Sequence, residues 1–320
     1  MNLQQLKKIA AFYGRFTLSF TQVGYLARKL FWPRFTPDFK GQHWLVTGGS
    51  GGLGREMVMV ALRGGATVTA AARSADKLRA LEAEVKAAGL AGLDTETCDF
   101  TLTADTQRLI ERLLAKGRRI DALMNNVGVL NDDLIITAEG REASFGSNIL
   151  SHYQLTEALI AGGLLARGSV VVNVTSGGGY NVPLMTSMLN VTDPARYNGT
   201  VAYGFHKRGQ MVLNQHWRDT YGGRGIDFYV MHPGWSDTAG VQRSLPRFRR
   251  ILRPILRDER SGADTALWLA GTRPQQPEEE LVWFDRKVRT AHAYERTRVT
   301  KDTPATLVAY LQRELDKGPR

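Results

Sequence analysis

The sequence predicts an α/β protein, a single doubly wound parallel sheet with helices on both faces. Three observations carry this. From residue 42 onward, short apolar runs alternate with amphipathic helical stretches, and strands this apolar belong to a parallel sheet covered on both sides. No repeat, low-complexity tract or interdomain linker interrupts the alternation. A glycine-rich turn joins the first strand to the first helix, where such folds hold phosphate. The 320 residues allow two domains by length but fit one.

Residues 1–40 precede the alternation as a basic, amphipathic extension, with seven Lys and Arg against Asp38 alone. Leu3, Leu6, Ile9, Tyr13, Phe16 and Phe20 step by three or four, an apolar helical face with Lys7, Lys8 and Arg15 interspersed. The pattern fits a helix on an anionic membrane, a mitochondrial-type presequence, or a helix packed on its own domain. The main domain, residues 41–302, opens with the strand "HWLVTG", the helix "LGREMVMVALRGG", the strand "ATVTAAA" and the helix "SADKLRALEAEVKAAG". Further strands are expected at "LDTETCD", "IDALMNNVG", "SVVVNVTS", "IDFYVMHPG" and "ELVWFDR". Helices are expected between them at 101–116, 139–165, 200–221 and 261–270, and 303–320 forms a closing helix. Two irregular stretches, 177–200 and 235–260, leave from strand carboxyl ends and are candidate walls of a ligand pocket.

The net charge of +11 resides in two segments: residues 1–40 carry +6 and residues 243–260 carry +5. The rest is neutral, which argues against a general nucleic-acid surface, and no nucleic-acid motif is present. A single cysteine, Cys98, excludes an internal disulfide, so nothing depends on an oxidising compartment. The histidines and Cys98 show no metal-ligand spacing, and no run of ~20 apolar residues could span a bilayer. An intracellular, cytoplasmic location follows, with a membrane surface or mitochondrial targeting open through residues 1–40.

In the glycine turn, Thr47, Gly48, Gly52 and Gly54 have Thr-Gly-x-x-x-Gly-x-Gly spacing. Gly48 permits the tight turn, Gly52 lets backbone approach a pyrophosphate, and Gly54 lets helix meet strand. Gly48 to Gly52 also read as Gly-x-Ser-x-Gly, so Ser50 is the nucleophile of a rival serine hydrolase, with Asp237 and His292 as partners. The second strand favours the dinucleotide: it ends in "AAARS" with no carboxylate for a ribose hydroxyl, and Arg73 is placed to pair a 2′-phosphate. NADP(H) is therefore expected over NAD(H). Asp99 either binds an adenine amino group or caps the helix beginning near Thr101.

Carbonyl reduction needs a proton donor, and a lysine four residues along a helix lowers a tyrosine's pKa. Two pairs have this spacing, Tyr25–Lys29 and Tyr203–Lys207. Only the second follows the strand whose end would face a nicotinamide.

Residues 41–290 resemble the short-chain dehydrogenase/reductase family, through "TGGSGGLG", "NNVG" (Asn125 to Gly128), Asn148 in "SNILSHYQLT", Ser176, "YGFHK" and "HPGWSDT". The resemblance implies a Rossmann-type fold, with Tyr203 as general acid/base and Lys207 lowering its pKa and holding the nicotinamide ribose. It gives Ser176 the substrate oxygen and Asn148 a water in a relay to Lys207. It places the cofactor along Thr47, Gly48, Ser50, Gly52, Leu53, Gly54, Arg73, Asp99, Asn125, Gly128, Pro233, Gly234 and Thr238, with Asn125 supporting the sheet. It also implies a homo-oligomer. Two departures stand out: valine replaces alanine at Val127, and Ser176 and Tyr203 lie 27 positions apart. Insertions of that length occur in the retinol-dehydrogenase and protochlorophyllide-reductase branches. In the substrate loop, Leu245, Phe248, Ile251, Leu252, Ile255 and Leu256 sit among seven arginines. This fits a lid for a lipophilic small-molecule substrate or a lipid surface, and equally a docked helix with solvated arginines. A non-catalytic NADP-binding sensor is the remaining alternative.

Overall fold

The computed structural model describes residue 14 and residues 16–237, 246–279 and 281–318. Eight strands form one sheet in the order β3-β2-β1-β4-β5-β6-β7-β8. They are β1 His43–Thr47, β2 Thr67–Ala72, β3 Leu93–Thr97, β4 Ala122–Asn125, β5 Val170–Val174, β6 Asp227–Met231, β7 Leu281–Phe284 and β8 Lys287–Thr290. All pairings are parallel except the last, a β7–β8 hairpin. The first seven strands are those expected, and β8 is an addition. Strand order reverses between β1 and β4, so the carboxyl ends there flank the crevice in which such sheets bind ligands.

Alternation along each strand builds two core layers. Trp44, Val46, Val68 and Ala70 face α2 (Gly52–Arg63), α3 (Ala75–Ala87) and α8 (Glu259–Thr272). Leu45, Leu123, Val171 and Phe228 face the other side, covered by α4 (Thr103–Lys116), α5 (Ser151–Ala161), α6 (Gly199–Tyr221) and α9 (Pro304–Asp316). Two further helices among the described residues are α1 (Gln22–Lys29) and α7 (Pro246–Leu252). A short helix, Ala143–Phe145, and a π turn, Gly146–Leu150, lead into α5.

Over its described residues, the N-terminal segment follows the packed-helix alternative. Helical residues 16–20 bend at Thr21 and resume as α1. Phe20 and Tyr25 are buried, Phe20 in a third cluster with Tyr180, Met211, Val230 and Phe284. The chain then crosses the β7–β8 turn, where Arg286 stacks on Trp32 and Phe35, and reaches the opposite core layer at Phe39. Phe16 and Phe20 thus face the domain. Leu3, Leu6, Lys7, Lys8, Ile9, Tyr13 and Arg15 lie outside the described residues.

Asp99 does not cap α4. Its Oδ1 accepts from Thr101 N and Oγ1, closing a local turn. The helix starts two residues later, and the Glu139 carboxylate accepts from Thr103 N and Ala104 N, a long-range cap that no local motif announces.

Candidate active site

The crevice is built on three strand ends. At β1, Gly48 takes φ +66°, and a Cβ on Gly54 would sit 2.3 Å from Gly48 O, so only glycine allows α2 to start this close to the strand. The first turn of α2 contains no acid, and its N-cap, Gly51, offers no side-chain cap. Gly51 is exposed, and a Cβ there would meet nothing within 4 Å. The start of α2 is thus uncapped and open on this side, a cradle that fits a pyrophosphate. Ser50 and Gly52 lie half-buried at its rim and Leu53 packs beneath. Thr47 does not face the cradle: its hydroxyl donates to Met124 O and accepts from Asn126 N and Val127 N. It ties β1 to β4.

At the end of β2, Arg73 projects outward with its side chain 67% exposed, 4.0 Å from Asp99 Oδ2. No carboxylate stands at the strand end itself. A guanidinium at this strand end fits an anionic group on the ribose of a dinucleotide.

At β4 and β5, Asn125 Nδ2 donates to Thr156 Oγ1 and Asn173 Oδ1, fastening α5 and β5 to the sheet centre. Asn148, within the π turn, is fully buried. Its Oδ1 accepts from Val129 N at 2.7 Å and its Nδ2 donates to Val129 O at 2.8 Å. Gln210 Nε2 donates to its backbone oxygen at 2.6 Å. A Cβ on Gly128 would lie 3.2 Å from Lys207 Nζ and 3.3 Å from Asn148 Oδ1, so this glycine lets the ammonium and the amide approach.

The insertion 177–200 closes the gap between Ser176 and Tyr203. Two 3₁₀ turns, Gly177–Asn181 and Thr186–Met188, fold it down. Tyr197 OH then donates to Asn131 O and to Glu142 Oε1, and Asn198 Oδ1 caps α6 by accepting from Val201 N. Tyr203 thereby returns to the Ser176–Gly178 turn despite the long spacing: a Cβ on Gly178 would lie 3.7 Å from its ring. One turn on, Lys207 Nζ lies 5.4 Å from the Tyr203 ring centroid and donates to Val174 O at 2.9 Å.

Electrostatics here differ from the expectation. Burial pushes the Tyr203 hydroxyl up to about 12, and the bond from Ser176 only partly offsets this. Burial also pulls Lys207 down to about 7. Desolvation outweighs the pair's attraction, because Lys207 bonds a carbonyl oxygen and not the phenol. Beneath the site, His206 Nε2 lies 2.7 Å from Leu189 O, and its Nδ1 lies 3.3 Å from Asn148 Nδ2. The sequence reading missed His206.

The third strand end, β6, leads into Pro233 and Gly234, the latter at φ +77°. Thr238, Leu245 and the Phe248 side chain lie outside the described residues. Of the described substrate-loop residues, Ile251 is exposed, Leu256 is buried, and Arg249 pairs with Asp237. Arg257, counted above among solvated arginines, is instead buried, in a bidentate pair with Asp285.

The hydrolase alternative is overturned. His292 follows β8, five strand positions from the β1 end that carries Ser50, roughly 24 Å at ordinary strand spacing. Its two ring nitrogens lie at hydrogen-bonding distance from Arg208 and Thr297.

Comparison with known proteins agrees with this geometry. A family model described as short chain dehydrogenase matches residues 42–247. Dehydrogenase/reductase SDR family member 12 of Bos taurus is 32% identical over 275 residues, covering 83% of each chain. Retinol dehydrogenase 12 of Mus musculus is 26% identical, over 80% of this chain and 84% of its own. The Pseudomonas aeruginosa RhlG/NADP active-site complex shares the fold, with TM-score 0.60 and 23% identity over 75% of this chain and 93% of that one.

Proposed function

The chain belongs to the short-chain dehydrogenase family and is an oxidoreductase enzyme; from this premise we propose that it interconverts a lipophilic aldehyde or ketone and its alcohol, using NADP(H) in preference to NAD(H). The observation that carries the proposal is the placement of the Tyr203 ring against the Ser176–Gly178 turn, with Lys207 one helical turn away, at the carboxyl end of β5. When bound, the nicotinamide exchanges hydride with the carbonyl carbon. Tyr203 gives its hydroxyl proton to the carbonyl oxygen, or takes it back in the alcohol direction, and Ser176 holds that oxygen by a hydrogen bond. Lys207, placed beneath the tyrosine ring, favours the phenolate as the proton leaves. Asn148 holds the Val129 backbone beside Lys207, and any water in the relay would bind against that frame.

Pyrophosphate would lie on the free N–H groups of α2, and Arg73 would take the 2′-phosphate. The relative named retinol dehydrogenase and the apolar lid residues support a lipophilic substrate. Exposed Leu18, Leu30, Phe31 and Ile251 support peripheral contact with a membrane surface. No helix among the described residues is long and apolar enough to cross one.

The test is a pair of measurements. NADPH and NADH are titrated side by side by nicotinamide fluorescence, and Tyr203→Phe is assayed on a panel of lipophilic carbonyls. Tighter NADPH binding is expected, with turnover reduced about 10²–10⁴-fold in the variant. Full turnover by Tyr203→Phe would remove the mechanism, and equal affinities would remove the cofactor preference.

A further inference from the structure

We infer that the N-terminal segment, residues 16–32, is a positioning element of the active site: Phe20 and the Arg257–Asp285–Arg28 cluster hold the Ser176-Gly177 and Pro233-Gly234 turns together, so that the segment and NADP(H) binding are coupled. The inference rests on the cofactor reading above for its ligand.

The contacts are buried and directional. Phe20 O accepts from Trp235 N at 2.8 Å and from Arg257 Nε at 2.9 Å. The same guanidinium donates to Ser19 O at 3.1 Å and to Pro233 O at 3.3 Å, joining the segment to the turn after β6. A Cβ on Gly234 would lie 2.4 Å from Arg257, so the turn rests directly on this side chain. Asp285 receives Arg257 in a bidentate pair at 2.6 and 2.9 Å, and Arg28 Nε at 2.7 Å. Arg28 also donates to Ser19 O. The Phe20 ring lies 4.5 Å from the His232 ring, edge-on. A Cβ on Gly177 would be 3.0 Å from that phenyl ring, so Phe20 presses on the backbone beside Ser176.

Simple covering of an apolar edge does not require this arrangement. A buried ion cluster is a poor stabiliser compared with apolar residues of the same volume, but it fixes one geometry. The geometry here is over-determined. Asp285 and Arg286 make the β7–β8 turn at φ 50° and 56°, left-handed backbone that non-glycine residues seldom adopt. Such residues persist where the surroundings hold them, and they cluster at functional sites. Asp285 is held by two arginines, one from the segment and one that touches the Pro233-Gly234 turn.

Coupling is reciprocal, so cofactor that depends on the clamp must also tighten it. Hydrogen exchange on the full chain, with and without saturating NADPH, tests this. Amides of residues 19–31 are expected to slow by about fivefold or more on binding. Arg257→Lys keeps the charge but loses the fork, so it is expected to weaken NADPH about tenfold, lower the melting temperature by a few degrees and abolish most of the protection. NADPH binding with unchanged exchange at 19–31 would overturn the coupling alone. So would wild-type NADPH affinity in a folded Arg257→Lys, and should that variant fail to fold, the wild-type exchange comparison decides. No NADPH binding at all would overturn the cofactor reading and the coupling with it.

Discussion

Arg73 stands one position beyond β2 with most of its side chain in solvent, and Asp99 competes for it only weakly, its Oδ2 lying 4.0 Å from the guanidinium. A guanidinium so placed can turn to a 2′-phosphate without breaking a strong bond. Hydrogen bonds to charged groups are worth about 1.5–3 kcal/mol, so Arg73→Glu is expected to weaken NADPH by about 10–100-fold and leave NADH within a few-fold, read by fluorescence titration. Loss of both affinities alike would mean that Arg73 shapes the strand end and does not choose the cofactor. The place of this residue, directly after a strand, was legible in the sequence. The tyrosine–lysine pairs needed more. Lys29 Nζ lies 5.5 Å from the Tyr25 ring centroid and Lys207 Nζ 5.4 Å from that of Tyr203, so helical spacing alone gives both pairs the same distance. Ser176 beside Tyr203 makes the difference, and accordingly Tyr25→Phe, which keeps the ring under Arg257, is expected to retain turnover. Arg257 was illegible for the opposite reason. It is one of seven arginines in a basic stretch, and its partner Asp285 sits on a turn whose place is known only from the fold.

Among the elements, buried neutral histidines join α6 to its neighbours: His206 to Asn148 of the π turn, and His152 of α5 to Gln210. His206 is fully buried and pulled down to about 4, and His152, also buried, to about 3; burial is the main cause in each, with Lys207 adding to it. In the unfolded chain both return to about 6.5. As pH falls below 6.5 the unfolded chain takes up these protons and the folded protein does not, so stability is lost from pH 6.5 downward and levels off only below the folded values. Each histidine contributes on the order of 3 kcal/mol to that loss. Glu142, raised by burial near His206, acts in the opposite direction. Urea denaturation at pH 7 and pH 5 is expected to show a marked fall, and His206→Gln, which keeps a donor for Leu189 O and an acceptor for Asn148, should shrink it by about half. An unchanged pH dependence in that variant would contradict the assignment. At this scale seven strands and the helices between them were legible, because their periodicities are strong. The eighth strand was not. Its hairpin turn, Asp285-Arg286, lacks the Asn-Gly or Asp-Gly signal, and ion pairs replace glycine in supporting the left-handed backbone.

For the whole molecule, the N-terminal segment has two sides with different partners. The apolar periodicity read from the sequence ends at Phe20, and the bend at Thr21 resets the helical phase beyond it. Phe20 and Tyr25 turn inward, and a second apolar set points out: Leu18 is 74% exposed, Leu30 82% and Phe31 87%. Exposed Lys29, Arg34 and Arg260 border a cavity of about 260 Å³ beside that set. Apolar tips among cations suit an anionic bilayer, where each Lys or Arg near the surface adds about 1 kcal/mol and the attraction fades with salt. Sedimentation with vesicles containing an anionic phospholipid is therefore expected to carry the protein down at low salt, and purely zwitterionic vesicles far less. Replacing Leu30 and Phe31 together by glutamate removes two insertable side chains and adds two like charges to the bilayer's own, so binding should fall more than tenfold. Because these side chains point away from Phe20 and Arg257, turnover on a water-soluble carbonyl should stay near the wild-type level. Vesicle binding that survives the double change would place the contact elsewhere, with exposed Ile251 and the neighbouring Arg250 and Arg253 the next surface to alter. Sedimentation indifferent to anionic lipid would remove the membrane clause and leave the outward leucines and phenylalanine to a protein partner.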